Sequence, residues 1–561
     1  MPDPDVGVLS RSRATRFIVG SNLRTELSGA GWLYALPRLR YGSVLALGAP
    51  SAASLTALTR VSDQVTVVDP SEDSRRRVAT LATARGWDGV QAMAADDVSR
   101  PRADLLVAPD ARVGDRATAV RRWLETAPPD AVAFVGHGQG AATDVGTGAT
   151  GRSSLSVRLT PGHGEVRSLA PLGDAAMPAT LRDLELDAPR FRWSSFKVLR
   201  KGRLPDLPLP WRPIDRRATI IAGPDVALGA VPEYLARVAS DGGHDLNGWR
   251  WAVAARGDYD SQKVLVVLVP PGSSGPTGTV KITRASEHSP RLENEARALQ
   301  TLAGLDIANG RIPTPWFSGD HAGRAIVGEA FVDGAPFRTR ARWDPGCPHL
   351  ADAVGWLTDL AVATRRDVPA TAVREALLDL LARYAGIHGP AAAEVDQLRA
   401  IFERVGDIEE PFPSVFQHGD PGIWNLLVDR GDRTVFLDWE AAEADGLPLW
   451  DLFYFFRSYA VGAARKAGTR DPVEGAARHM VDGSPLADRL IEAVAAYRAA
   501  VGLPAAAVEP LALGCWVHRS LKEAMRSTPE RLGTGTSVRF LRHMLERRTA
   551  PTLARLYGGE A

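Results

Sequence analysis

The hydrophobic pattern changes character along the chain. In the first third, short apolar runs alternate with amphipathic stretches. "SVLALGAP" (43–50), "QVTVVD" (64–69), "DLLVAPD" (104–110) and "DAVAFVGHG" (130–138) are four such runs. Between them lie "SAASLTALTRV", "SRRRVATLATARG" and "RATAVRRWLETA", whose apolar residues recur at helical spacing. Strands apolar on both faces and separated by helices predict a doubly wound, parallel α/β sheet. The glycine-rich stretch 136–151 reads as a loop inside this first domain, because "LSVRLTPG" resumes strand-like alternation directly after it. From about 200 to 220, "RKGRLPDLPLPWRPIDRRA" has neither period and reads as a connection, which sets the expected domains at 1–215 and 216–561.

Beyond that connection the period changes. "RWAVAARG" (250–257), "KVLVVLVPP" (263–271) and "GTVKITR" (278–284) are three short strands with tight connections, predicting an antiparallel meander. "SPRLENEARALQTLAG" follows as a helix with Leu292, Ala296 and Leu299 on one stripe, Ser289 placed to cap it and Pro290 at its first position. From about 350 onward the pattern is mostly helical. The second domain is therefore expected to be α+β, with a small lobe at about 216–335 and a helical lobe at about 336–561.

Composition narrows the function classes. At 561 residues, 45% hydrophobic and 24% charged, the chain suits two or more globular domains. A formal net charge of +1 gives no polybasic signature for nucleic acid. Two cysteines, Cys347 and Cys515, lie far from any Cys/His cluster, which argues against structural zinc and a disulfide framework. No window approaches ~20 consecutive apolar residues, and the N-terminal residues lack the apolar segment of a signal peptide. The expectation is a cytoplasmic protein with no membrane or nucleic-acid partner; oligomeric state is not legible.

One exception to the helical second half carries chemistry. "HGDPGIWN" (418–425) follows the apolar run "SVFQ" and precedes "LLV", and "VFLDWE" (435–440) comes shortly after. Asp420 sits in a turn with Pro421 and Gly422, where a carboxylate can face a cleft and accept a proton. Asn425 offers a neutral oxygen and Asp438 an anionic one, both suited to a hard cation. Two strands joined by "DRGDR" would bring Asn425 and Asp438 side by side. A proton acceptor beside two oxygen ligands for magnesium is what phosphoryl transfer asks of a protein. His418 on its own reads as a structural residue, since a histidine base needs a placed partner.

"HGDPGIWNLLV" followed by "VFLDWEAAEADGLPLWDLFYF" resembles the aminoglycoside phosphotransferase and choline kinase family of small-molecule kinases, over roughly 216–561. The resemblance implies a protein-kinase-like fold with ATP and Mg2+ as cofactors, Asp420 as catalytic base, Asn425 and Asp438 as metal ligands, and Asp451 as a structural aspartate. It implies a lysine on the third strand of the small sheet, which is Lys281, and as its partner a glutamate on the next helix. Glu295 borders the apolar stripe of that helix and Glu293 points farther away, so Glu295 is the expected residue. The segment Glu329, Ala330, Phe331 resembles the hinge that receives adenine through backbone hydrogen bonds. The turn at 256–262, "RGDYDSQ", departs from a glycine-rich cradle by having one glycine.

In the first domain, a strand, a glycine turn, a helix and a strand ending in an acid resemble a class I methyltransferase. That resemblance implies a pocket for S-adenosylmethionine at Gly48 and Asp69, with Asp96 near the adenine. Ala49, Pro50 and Ser51 stand where further glycines would let backbone approach the ligand. The expectation is a degenerate domain. Taken together, the sequence predicts an ATP-dependent kinase for a hydroxyl group of a sugar, glycan, aminoglycoside-like or natural-product acceptor. A bifunctional kinase and methyltransferase, and a non-catalytic nucleotide-binding scaffold, are the alternatives.

Overall fold

In a computed structural model, residues 30–94, 102–109, 115–138, 151–161, 166–172, 177, 216–224, 226, 228, 231–255, 263–525, 527 and 529–558 are described. Asp96, the turn at 256–262 and most of the expected connection lie outside them. Contacts divide the chain into a sheet unit, Leu23–Glu293 with Trp316–Phe331, and a helical unit built mainly from Asn294–Pro315 and Val332–Ala561.

The sheet unit opens with the predicted alternation. Strands β1 (Tyr41–Leu47), β2 (Ser62–Val68), β3 (Val90–Met93), β4 (Leu105–Ala108) and β5 (Val132–Gly138) run parallel in the order β3-β2-β1-β4-β5. Helices α1 (Ala52–Val61), α2 (Glu72–Arg85) and α3 (Arg116–Thr126) connect them. Leu45 and Leu47 pack with Val120, Trp123 and Leu124 of α3, whereas Val44 and Ala46 pack with Leu55, Leu58 and Val61 of α1. Burial on both faces explains the unbroken apolar runs. Helices α1 and α2 start at serine caps: Ser51 Oγ accepts from Ser54 N at 3.1 Å, and Ser71 Oγ from Ser74 N at 3.3 Å.

The sheet does not stop where the periodicity changes. Strands β6 (Ser153–Pro161), β7 (Val166–Pro171) and β8 (Arg216–Ala222) extend it, with β8 lying between β5 and β6 and antiparallel to both. After α4 (Glu233–Asp241), strands β9 (Arg250–Ala254), β10 (Val264–Val269) and β11 (Gly278–Ile282) form the expected meander. Then come α5 (Ser289–Ala303), β12 (Pro315–His321) and β13 (Arg324–Ala330). Strand β7 pairs with β9, matching Leu169 to Val253, so these thirteen strands form one sheet. The residues from 216 that the sequence pattern gives to the second domain are thus an interior strand among those of the first. Its arginines and threonine hid that strand, because the apolar signal is confined to Ala218, Ile220, Ile221 and Ala222. One apolar core runs from Trp32 and Tyr34 through Ile220 and Trp251 to Val280 and Ile326.

Ser289 does something other than the expected capping. Its hydroxyl donates to Gly323 O at 3.0 Å and accepts from Ala325 N at 3.0 Å, tying the start of α5 to β13.

The helical unit holds α6 (Pro348–Thr364), α7 (Ala370–His388), α8 (Ala392–Glu403), α9 (Trp450–Lys466), α10 (Pro472–Met480), α11 (Pro485–Val501), α12 (Val508–Ala524) and α13 (Thr536–Glu546) around one core. Two small three-stranded sheets interrupt them. One comprises β14 (Gly334–Pro336), β17 (Leu426–Asp429) and β18 (Thr434–Phe436); the other comprises β15 (Arg366–Val368), β16 (Phe412–Gln417) and β19 (Glu443–Gly446). Both cysteines are buried and free, and burial pushes the Cys515 thiol up to about 12. Among the described residues, no helix is long and apolar enough to cross a membrane.

Candidate active site

Strand β16 is wholly buried and delivers the chain to His418, where the turn begins. Gly419 takes φ +76°, and a Cβ there would collide with Ala441 O. The position therefore demands glycine. Asp451, at the start of α9, accepts from His418 N at 2.6 Å and Gly419 N at 3.0 Å. Burial raises the Asp451 pKa, while the hydrogen bonds from the two amides pull it down. Its two oxygens fix the turn, which gives the structural part that the resemblance assigned to it.

His418 is fully buried, its ring tilted against that of Trp439 at 4.4 Å. Its Nδ1 faces Asp420 N at 3.2 Å and its Nε2 faces Leu437 O at 2.8 Å. An amide can only donate and a carbonyl only accept, so Nδ1 accepts and Nε2 carries the hydrogen. The imidazole is a neutral strut between the turn and the residue before Asp438, as the sequence pattern suggested.

Asp420 and Asn425 are joined directly. Asn425 Nδ2 donates to Asp420 O at 2.9 Å and to Asp420 Oδ2 at 3.3 Å. Both contacts use Nδ2, so Oδ1 is the oxygen that Asn425 could offer to a cation. Leu426 pairs with Phe436 across β17 and β18, and Leu437 N donates to Asn425 O at 2.8 Å. This ladder brings Asn425 and Asp438 to the same end of adjacent strands, as the two apolar runs predicted. Asp438 is left-handed at φ +66° and ψ +64°, an unusual state for a non-glycine residue and one that clusters at functional sites. Two side-chain oxygens from Asn425 and Asp438 suit a magnesium ion whose remaining ligands are phosphate and water.

Further residues of the helical unit support this end. Glu295 is fully buried and accepts from Trp439 N at 3.2 Å, next to Asp438, whereas Glu293 is exposed. The apolar stripe of α5 thus identified the inward glutamate. Two cations from α12 were missed. Arg519 donates to Asp420 Oδ1 at 2.8 Å and to Gly419 O at 2.9 Å, and Lys522 Nζ reaches Gly419 O at 3.3 Å. Their signal was present as polar residues at i and i+3 on a helix otherwise buried from Val508 to Val517.

In the sheet unit, Lys281 of β11 is buried and pairs with Glu329 of β13, its Nζ 2.9 Å from Oε1 and 3.0 Å from Oε2. The expected hinge residue Glu329 thus turns its side chain to the lysine. Phe331 N–H donates to Thr277 O at 2.9 Å, and Ala330 pairs with Gly278. The Phe331 amide is therefore already engaged by the chain itself, so it does not offer adenine the donor that the resemblance expected.

The Gly48 turn is also occupied from within. Asp69 Oδ2 accepts from Ala49 N at 2.7 Å and Oδ1 from Ser71 N at 2.8 Å, with Arg116 Nη2 at 3.9 Å. Gly48 has φ +90°, and a Cβ on it would collide with the Arg116 guanidinium. Gly48 and Asp69 come together at one turn, where Arg116 crowds Gly48 and two amides already bond the Asp69 carboxylate.

Residues 225–496 match the model of the phosphotransferase enzyme family. Comparison with curated proteins gives no match. Among solved structures, a glucosamine kinase is 16% identical, covering 50% of this chain and 78% of its own, with a TM-score of 0.30. Aminoglycoside phosphotransferase APH(3'')-Id from Streptomyces rimosus is 17% identical over 48% of this chain and 91% of its own, at a TM-score of 0.29. A methyltransferase from Pseudomonas syringae is 18% identical over 20% of this chain and 74% of its own, at a TM-score of 0.18.

Proposed function

We propose that this chain, whose residues 225–496 match the phosphotransferase enzyme family, moves the γ-phosphate of ATP to a hydroxyl of a sugar, glycan, aminoglycoside-like or natural-product acceptor. The observation that carries this reading is the junction of Asp420, Asn425 and the β17–β18 ladder leading to Asp438.

Asp420 is the proton acceptor. The acceptor oxygen bonds to the γ-phosphorus while the bond from that phosphorus to the bridging oxygen breaks. ADP leaves with the electron pair, and the hydroxyl proton passes to the Asp420 carboxylate. Asn425 holds that carboxylate in place through Nδ2. Magnesium, ligated by Asn425 Oδ1 and the Asp438 carboxylate, would neutralise charge on the triphosphate. Lys281, kept oriented by Glu329, is the cation assigned to the phosphates, and Glu295 steadies the backbone next to Asp438. The backbone of Glu329 and Ala330 is assigned to the adenine; Phe331 contributes by shape. The first domain is assigned no methyl transfer, because Arg116 fills the turn at Gly48.

The test is ADP release by the full chain with Mg-ATP across a panel of hydroxylated small molecules. Acceptor-dependent release is expected, together with a phosphomonoester on the acceptor by mass spectrometry. Tight ATP binding that is indifferent to magnesium, with no release from any acceptor, would leave the scaffold alternative standing.

A further inference from the structure

Near the turn that holds Asp420 lies a buried cation with unsatisfied donors. Arg457, on α9, is 9% exposed, and its Nε and Nη2 are buried without a hydrogen-bond partner among the described residues. Its guanidinium lies 5.5 Å from the Trp516 ring and 5.6 Å from the Phe540 ring. Those rings face a cation favourably, but they supply no acceptor for its N–H groups. A buried charge without acceptors costs stability, and burial pushes the Arg457 pKa down accordingly.

The position of Arg457 gives this imbalance a meaning. One turn back on the same helix is Tyr454, whose ring carries the Arg519 guanidinium at 3.5 Å. Arg519 reaches Asp420, and Tyr454 meets the edge of Trp424 at 5.9 Å. Trp424, between Asp420 and Asn425, is 57% exposed, a large apolar surface beside the proton acceptor. Lys522 lies on the same side, at the Gly419 carbonyl.

The neighbouring carboxylates are committed elsewhere. Asp420 holds Arg519 and Asn425. Asp451 spends its oxygens on two amides. Glu523 accepts from Thr536 N and Ser537 N, both at 2.8 Å, at the first turn of α13. Burial raises the pKa of Glu443, which has His518 at 3.9 Å. Arg457 therefore keeps a charge that none of these carboxylates neutralises through a direct contact.

We propose that the acceptor carries an anionic group, a phosphate or a carboxylate, which Arg457 binds with Arg519 and Lys522 while the body of the acceptor rests against Trp424. The inference rests on the phosphotransferase reading and sharpens its substrate class. A cationic amino sugar is the acceptor that this set of side chains disfavours, since three cations would repel it.

Two measurements test it. In the first, the full chain with Mg-ATP is offered glucose, glucosamine, glucuronate and glucose 6-phosphate as probes. We expect kcat/KM for the anionic probes to exceed that for glucose and glucosamine by at least about tenfold. Arg457→Met should remove most of that preference, read as a fall in kcat/KM for the anionic probes toward that of glucose. A preference for glucosamine would overturn the proposal and leave the phosphotransferase reading intact. In the second, which needs no acceptor, Arg457→Met should raise the thermal midpoint by about 1–3 °C, because an apolar side chain replaces a buried charge kept for a ligand. A lower midpoint would show that the guanidinium is held for packing, and the proposal would fail. Loss of magnesium-dependent ATP binding in the wild type would strike the phosphotransferase reading instead.

Discussion

At the scale of single residues, the turn at 418–425 is held by paired polar groups. Asp420 is held from both sides, by Asn425 Nδ2 on one oxygen and Arg519 on the other. Asp420→Asn should lower kcat by about 10²–10⁴-fold, with the KM for ATP changed little, because in the proposed reaction Asp420 accepts the proton in the transition state. Steady-state kinetics with a working acceptor checks this, and near-normal turnover would remove Asp420 from the chemistry. The same reasoning predicts silence in the first domain. Asp69 already accepts from Ala49 N and Ser71 N, and Arg116 crowds Gly48, so titration of the full chain with S-adenosylmethionine should release no measurable binding heat. Micromolar affinity would restore the bifunctional alternative. These residues were legible in the sequence because they sit at the ends of apolar strands, where a polar residue needs a reason. Arg519 and Lys522 were not, since they lie about a hundred residues from the turn and only the packing of α12 brings them to it.

At the scale of elements, the strand carrying Asp438 depends on a brace outside the motif. Asp352, on α6, accepts from Arg311 Nη1 at 2.6 Å and Nη2 at 2.7 Å, and from Thr434 N at 2.7 Å and Oγ1 at 2.6 Å. Arg311 also places its carbonyl on Phe436 N at 2.8 Å. Helix α6 and strand β18 are thereby fixed to the segment after α5. Burial alone would raise the Asp352 pKa, but hydrogen bonds from Arg311 and Thr434 and the Arg311 charge outweigh it and hold the carboxyl below its usual range. A depressed carboxylate adds stability above its unfolded pKa of about 3.9, and that stability is lost as pH falls through the lower folded value. Asp352→Asn should destabilise the protein at pH 7 by about 1–3 kcal/mol. Its denaturant midpoint should also fall less steeply than the wild type's as pH drops below about 4. Parallel pH profiles would show that the brace carries no charge-dependent stability. Nothing in the local sequence marks Asp352, one aspartate in a stretch read only as helical.

At the scale of the whole molecule, the two period changes seen in the sequence do not correspond to two independent sheets. The parallel half was legible because its strands are buried on both faces, and the meander because its turns are short. The joint between them was hidden, since β7 and β8 carry serine, threonine and arginines and follow stretches without period. The sheet unit has its own consequence. A fragment of residues 216–561 would keep β8 but lose β5 and β6 on its two sides, and β9 would lose β7. It would also lose Trp32, Leu33 and Tyr34 from the core that includes Trp251 and Val266. Tyr234 would lose the Tyr34 carbonyl that its hydroxyl bonds at 2.9 Å. Bare strand edges and exposed apolar surface favour aggregation. We therefore expect the fragment to be insoluble, or to melt without a cooperative transition, even though it contains each of the residues assigned to phosphoryl transfer. The full chain should unfold cooperatively, with a midpoint that rises with Mg-ATP. Thermal unfolding of both proteins with and without Mg-ATP separates the outcomes. A soluble fragment with a cooperative transition and the same rise would show that the first domain is dispensable to the nucleotide-binding strands. A failed fragment beside a responsive full chain would give the first domain a physical part in the enzyme: it completes the sheet from which Lys281 and Glu329 project.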